Sequence, residues 1–140
     1  MAPRREKTAY ELMTSARDDL TMVHQLLAAT RPVAWGIAYH AQQACEKALK
    51  AVVWLHGEQE VPRTHDVGAL TTLALRLGLE PPLAGELPDL TEYAVTPRYG
   101  GPPRPSPEDV ADAVRAAEAV VAWAEPLVAE KLSGTEYEEQ

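Results

Sequence analysis

Between Val33 and His56 an apolar residue, often alanine, returns every third or fourth position: Ile37, Ala41, Ala44, Ala48, Val52 and Leu55. That spacing belongs to one face of an α-helix, and about 23 residues at ~1.5 Å per residue make a rod near ~35 Å long. Alanine is the best helix former, and its small side chain lets a neighbouring helix come close. A 140-residue chain with such a segment near its middle is constrained to pack other helices around it. Arg31-Pro32 and Gly57 mark the ends. The residue before proline is pushed out of the helical region, and glycine sits where a stop is expected.

Three further long segments repeat the pattern. From about Glu6 to Ala29, the positions Ala9, Met13, Ala16, Leu20, Val23 and Leu27 alternate four-three spacings, the seam of a helix in a bundle. The third is announced by "RTHDVGALTTLALRLG", where Thr64 or Asp66 can accept hydrogen bonds from the first free amides and Gly78 can supply the left-handed stop. Its buried face is Leu70, Leu73, Ala74 and Leu77. A shorter helical piece is expected from Pro88 to Ala94. The last helix opens in "RPSPEDVADAV", with Ser106 as cap, Pro107 in the first turn, and Glu108 and Asp109 near the positive end of the dipole. Val110, Val114, Ala117, Val121, Ala124 and Val128 carry its seam to about Leu132, and Pro126 should bend its final turns. No strand alternation, glycine-rich phosphate loop or repeat interrupts the pattern. The expectation is an all-α fold, an antiparallel bundle of four to five helices. It forms a single domain over residues 1–132, with a flexible, solvated tail over 133–140.

Beside the small-residue stripe, "YHAQQACEKALKAV" sets a polar row of His40, Gln43, Lys47 and Lys50. Such a row fits either a wet interface with another chain or a site that handles nucleotides or RNA. The formal charge of −8 argues against nonspecific duplex binding, which needs a basic face, although a local basic patch is compatible with it. Lys47 and Lys50 could hold a phosphate, or Lys50 could pair with Glu46 one turn away on a solvated face. The stretch from Pro97 to Pro107 has Arg98 and Arg104 and no acid, with Tyr93 and Tyr99 flanking Arg98. It reads either as a stacking and phosphate-contacting loop or as a rigid proline connection.

Of the four histidines, His40 and His65 are the candidates for acid–base work, against bracing roles across a helix seam and at a loop. Zinc needs three or four ligands at workable spacing, and the sequence has no His-x3-His or Cys-x2-Cys pair, so neither a metal nor a cofactor is expected. The single Cys45 cannot form an intramolecular disulfide and lies on the small-residue stripe, which fits a buried, inert thiol. With no signal-peptide core at the N-terminus and no apolar run near the ~18 residues of a membrane span, a cytoplasmic location without membrane contact is expected.

Taken in order, "YHAQQACEKALKAVVWLHG", "RTHDVGAL", "EYAVTPRYGG" and the proline-capped last helix resemble the HEPN domain. The likeness is to its prokaryotic branch, with the Gln-Gln-Ala-x-Glu-Lys-Ala-x-Lys core here at Gln42, Gln43, Ala44, Glu46, Lys47, Ala48 and Lys50. The Thr-His-Asp stretch is Thr64 to Asp66, and the Arg-Tyr pair is Arg98-Tyr99. The resemblance implies a four- or five-helix bundle, commonly a homodimer, in which the polar row lines a cleft. It also implies pairing with a minimal nucleotidyltransferase in a toxin–antitoxin type system. The family's metal-independent RNase activity uses an Arg followed four to six residues later by His. Here Pro103, Arg104 and Pro105 lie five to seven positions beyond Arg98 and no His occurs after His65, so that motif is absent at Arg98. The expected function is therefore a dimeric binding module for a nucleotide or RNA, with His40, Gln43, Lys47, Lys50, Arg98 and Tyr99 as the ligand-binding set. The alternatives are an RNase toxin with an altered site built on His40 or His65, or a plain dimeric scaffold.

Overall fold

The computed structural model describes residues 2–94 and 105–138. Over them the chain forms four α-helices and one 3₁₀ helix: α1 (Ala2–Leu27), α2 (Ala34–His56), α3 (Val67–Arg76), the 3₁₀ helix (Leu87–Ala94) and α4 (Pro107–Leu132). The all-α bundle expected from the periodicity is what forms, with no strand among the described residues.

α2 is the axis of the bundle. α1 and α4 pack along it, and α3 and the 3₁₀ helix cover its remaining side. This is why its burial exceeds a single stripe: Ala38, Leu49, Ala51 and Val53 are buried as well as Ile37, Ala41, Ala44, Ala48 and Val52. Contacts between side chains fix the directions. Arg5 and Trp54 meet at one end, and Asp19 and His40 meet toward the other, so α1 is antiparallel to α2. Arg17 reaches Glu125 and His24 reaches Glu118, so α1 is antiparallel to α4 as well. α3 begins beside Glu46 and ends where Leu77 nears Gly57, so it runs along the second half of α2 in the same direction.

The helix starts follow the local chemistry. The Asp66 carboxylate accepts from the Ala69 amide at 3.1 Å, while the Thr64 hydroxyl accepts from the Asp66 amide at 3.0 Å. Both residues flagged as caps are therefore used, in series. Gly78 takes the left-handed conformation, φ +80°, just past α3. Ser106 and Asp109 form a reciprocal capping box, each amide bound to the other's side chain at 3.0 Å, with Pro107 in the first turn. α4 continues through Pro126 to Leu132.

Two seam assignments need correction. Leu20, Leu55, Leu73, Val110 and Val114 are half-buried and pack against the core, whereas Leu27 is 43% exposed. A straight helix drifts about 20° per heptad from a four-three repeat, so a seam starting at Ala9 has rotated outward by the last turn. Leu77, just past α3, is likewise exposed. The tail expected to be solvated has an anchor: the Tyr137 ring lies 5.4 Å from that of Tyr10, and the Thr135 amide donates to the Leu132 carbonyl. At the same end of the bundle as Tyr137, α2 ends under a clasp. The Arg5 guanidinium donates to the carbonyls of Trp54, Gly57 and Glu58 and sits over the Trp54 ring. Those carbonyls have no partner within the helix, and a cation is favoured at this end.

Candidate functional site

The polar row on α2 divides between two carboxylates. The first is Asp19 of α1, which accepts from His40 Nδ1 at 2.9 Å through one oxygen and from Lys47 Nζ at 2.6 Å through the other. Lys47 also donates to the Ser15 hydroxyl at 2.8 Å. Asp19 was not legible as a site residue. The only signal for it is angular: it lies three residues after Ala16 and four before Val23, on the edge of the seam that faces α2.

The second carboxylate is Glu46, whose side chain is 3% exposed. Its oxygens accept from Lys50 Nζ at 3.0 Å, from Gln42 Nε2 at 3.1 Å and from His65 Nδ1 at 2.9 Å. Gln42 also donates to the His65 carbonyl and accepts from Gln43. Burial alone would raise the Glu46 carboxyl, but the hydrogen bonds from Lys50, Gln42 and His65 hold it below its ordinary value of 4.5. His65 itself stands 72% exposed, with Nδ1 committed inward and Nε2 left without a partner among the described residues. No buried side-chain nitrogen or oxygen lacks a partner among the described residues.

Of the predicted ligand-binding set, His40 and Lys47 are thus brought together on Asp19. Lys50 belongs to the Glu46 cluster, and Gln43 joins that same cluster by donating to Gln42. Arg98 and Tyr99 lie outside the described residues. Each lysine of the row is already matched by a carboxylate, which differs from a pair of free cations awaiting an anion. Cys45, on the opposite side of α2, is fully buried, and burial pushes its thiol up to about 12.

The polar clusters, the α2 core and the capped last helix fall in one order along the chain, and the family model described as HEPN domain matches residues 9–127. The chain belongs to the HEPN domain family. No significant match was found among curated proteins or among solved structures. The matched HEPN region takes in both carboxylate clusters and ends within α4. Elsewhere in the HEPN bundle, a cavity of about 600 Å³ opens between the 3₁₀ helix and α4, where, among the described residues, Glu86, Asp89, Glu92, Asp109 and Asp112 face a single Arg115. Among the described residues, no helix is long and apolar enough to cross a membrane.

Proposed function

We propose that the chain is a non-catalytic, dimeric HEPN module that binds a nucleotide- or RNA-type ligand and works beside a minimal nucleotidyltransferase in a toxin–antitoxin arrangement. What supports binding over cleavage is the pairing of every lysine on the row. Cleaving a phosphodiester without metal needs a base or acid near the 2′-hydroxyl and a cation free to meet the phosphate. Beside His40 the cation is Lys47, held by Asp19; in the His65 cluster it is Lys50, held by Glu46. The described cluster groups are thereby committed to one another, and Arg98 is the residue proposed to meet the ligand's phosphate.

The test is calorimetric titration with nucleotides and short RNA, alongside light scattering. The parent should be a dimer and bind, and Arg98→Ala should weaken binding by about tenfold or more, the loss of one charge-assisted contact. A parent that is monomeric and binds none of these ligands sinks the proposal.

One observation favours a second reading, an RNase with an altered site. His65 is an exposed imidazole oriented by a buried carboxylate, the arrangement that sets a base's tautomer. Metal-independent RNA degradation by the purified protein, lost on His65→Ala, would put this reading first.

A further inference from the structure

Trp35 and Tyr39 are aromatic side chains of α2 that the core does not claim. Trp54 and Trp123 pack against the buried cluster, whereas Trp35 and Tyr39 are half-buried and do not. Four residues apart, they share one helix face. Their rings meet edge-on with centroids 6.4 Å apart, and the Tyr39 ring meets the His40 imidazole at 5.2 Å. Three rings therefore run in file along the start of α2, ending at the Asp19 cluster. Continued one and two turns on, the same face carries Gln42, Gln43 and Glu46.

The charges beside the rings decide what chemistry they suit. Lys47 is matched by Asp19 and Lys50 by Glu46, so neither lysine of the row adds net positive charge beside the rings. Neither is left unpaired for a phosphate. Two half-buried aromatic rings are offered, together with Nε2 of His40, whose other nitrogen is held by Asp19. Flat, polar-edged heterocycles fit that combination, because stacking on an aromatic face is tolerant of base identity and independent of phosphate charge.

We propose that Trp35 and Tyr39 form a stacking platform for a nucleobase, with His40 at its edge. The proposal rests on the nucleotide- or RNA-binding reading above and names the part of the ligand that α2 holds. The phosphate is left to residues elsewhere.

The experiment titrates the parent, Trp35→Ala and Tyr39→Ala with adenosine, AMP and a short single-stranded RNA at low and high salt. Circular dichroism and light scattering are recorded on each protein. Adenosine should bind the parent, and Trp35→Ala should weaken all three ligands by about tenfold, by a factor that salt leaves unchanged. A phosphate contact would instead fade steeply with salt. If the parent binds and Trp35→Ala binds equally well, the platform is wrong and the binding reading stands. If AMP binds and adenosine does not, the ligand is held by its phosphate and the platform is again wrong. If the parent binds none of the three, the binding reading fails and takes the platform with it. A folded variant that turns monomeric as it loses affinity assigns the rings to a subunit interface and overturns the proposal. Should Trp35→Ala lose helicity, Trp35→Phe, which keeps a smaller ring, must retain intermediate affinity for the proposal to hold.

Discussion

Asp19 and Glu46 do similar work in different company. Asp19 joins two helices: it sits on α1, and both its partners sit on α2. Glu46 takes two of its partners, Gln42 and Lys50, from one turn either side of itself and the third, His65, from the lead-in to α3. Asp19 is 11% exposed against 3% for Glu46. The first cluster therefore holds helix to helix near the surface. The second makes a buried charge tolerable inside the central helix and uses it to fix where α3 begins. A carboxylate with three donors and almost no water is the more demanding arrangement, because removing it strands a half-buried lysine.

Substitutions can break that comparison. Glu46→Ala should be the most damaging, costing about 3–5 kcal/mol, as expected when one partner of a buried pair is lost. Urea or thermal unfolding measures it. The same carboxyl gives a pH dependence of defined sign. Its folded value lies below its ordinary 4.5, so its stabilisation is present above that pH and is lost as the pH falls through the lower folded value. The parent's stability should thus fall more steeply below pH 4.5 than that of Glu46→Ala. Parallel curves would show that Glu46 is no better stabilised as an anion when folded.

Asp19→Ala should cost less, about 1.5–3 kcal/mol, since water can reach Lys47 and His40 once their shared partner is gone. If it proves equal to Glu46→Ala, the distinction between a surface tie and a buried one collapses. The mildest change is His65→Ala. Its imidazole is largely exposed, so the equilibrium loss should stay within about 1 kcal/mol. The sharper readout for that variant is amide exchange at the start of α3, which should quicken while the α1–α2 contact stays protected.

The fold was legible because its signals are local. Ser106, Pro107 and Asp109 announce a capping box within four residues, and the Ala41-Ala44-Ala48 spacing identifies a close-packed face without reference to any other part of the chain. Glu46 and Lys50 were readable as a pair for the same reason. The rest depends on distance along the chain. Lys47 finds Asp19 and Ser15 only because α1 folds back antiparallel. Nothing near Lys47 in sequence distinguishes a lysine so held from one reaching for phosphate. Arg5 was invisible on the same grounds, since the carbonyls it binds lie about fifty residues away. That α2 is enclosed on several sides also follows from topology, because periodicity reports one stripe at a time.

Cys45 gives the bundle a built-in clock. Its sulfur is shut in at the middle of the central helix, and burial holds the thiol protonated far above neutral pH. An alkylating reagent can reach it only during moments when neighbouring helices part. The rate of its modification therefore counts those openings, and where reclosing outpaces the reagent it reads out their equilibrium population. One atom, needing no engineered label, turns breathing of the most enclosed part of the molecule into a chemical yield.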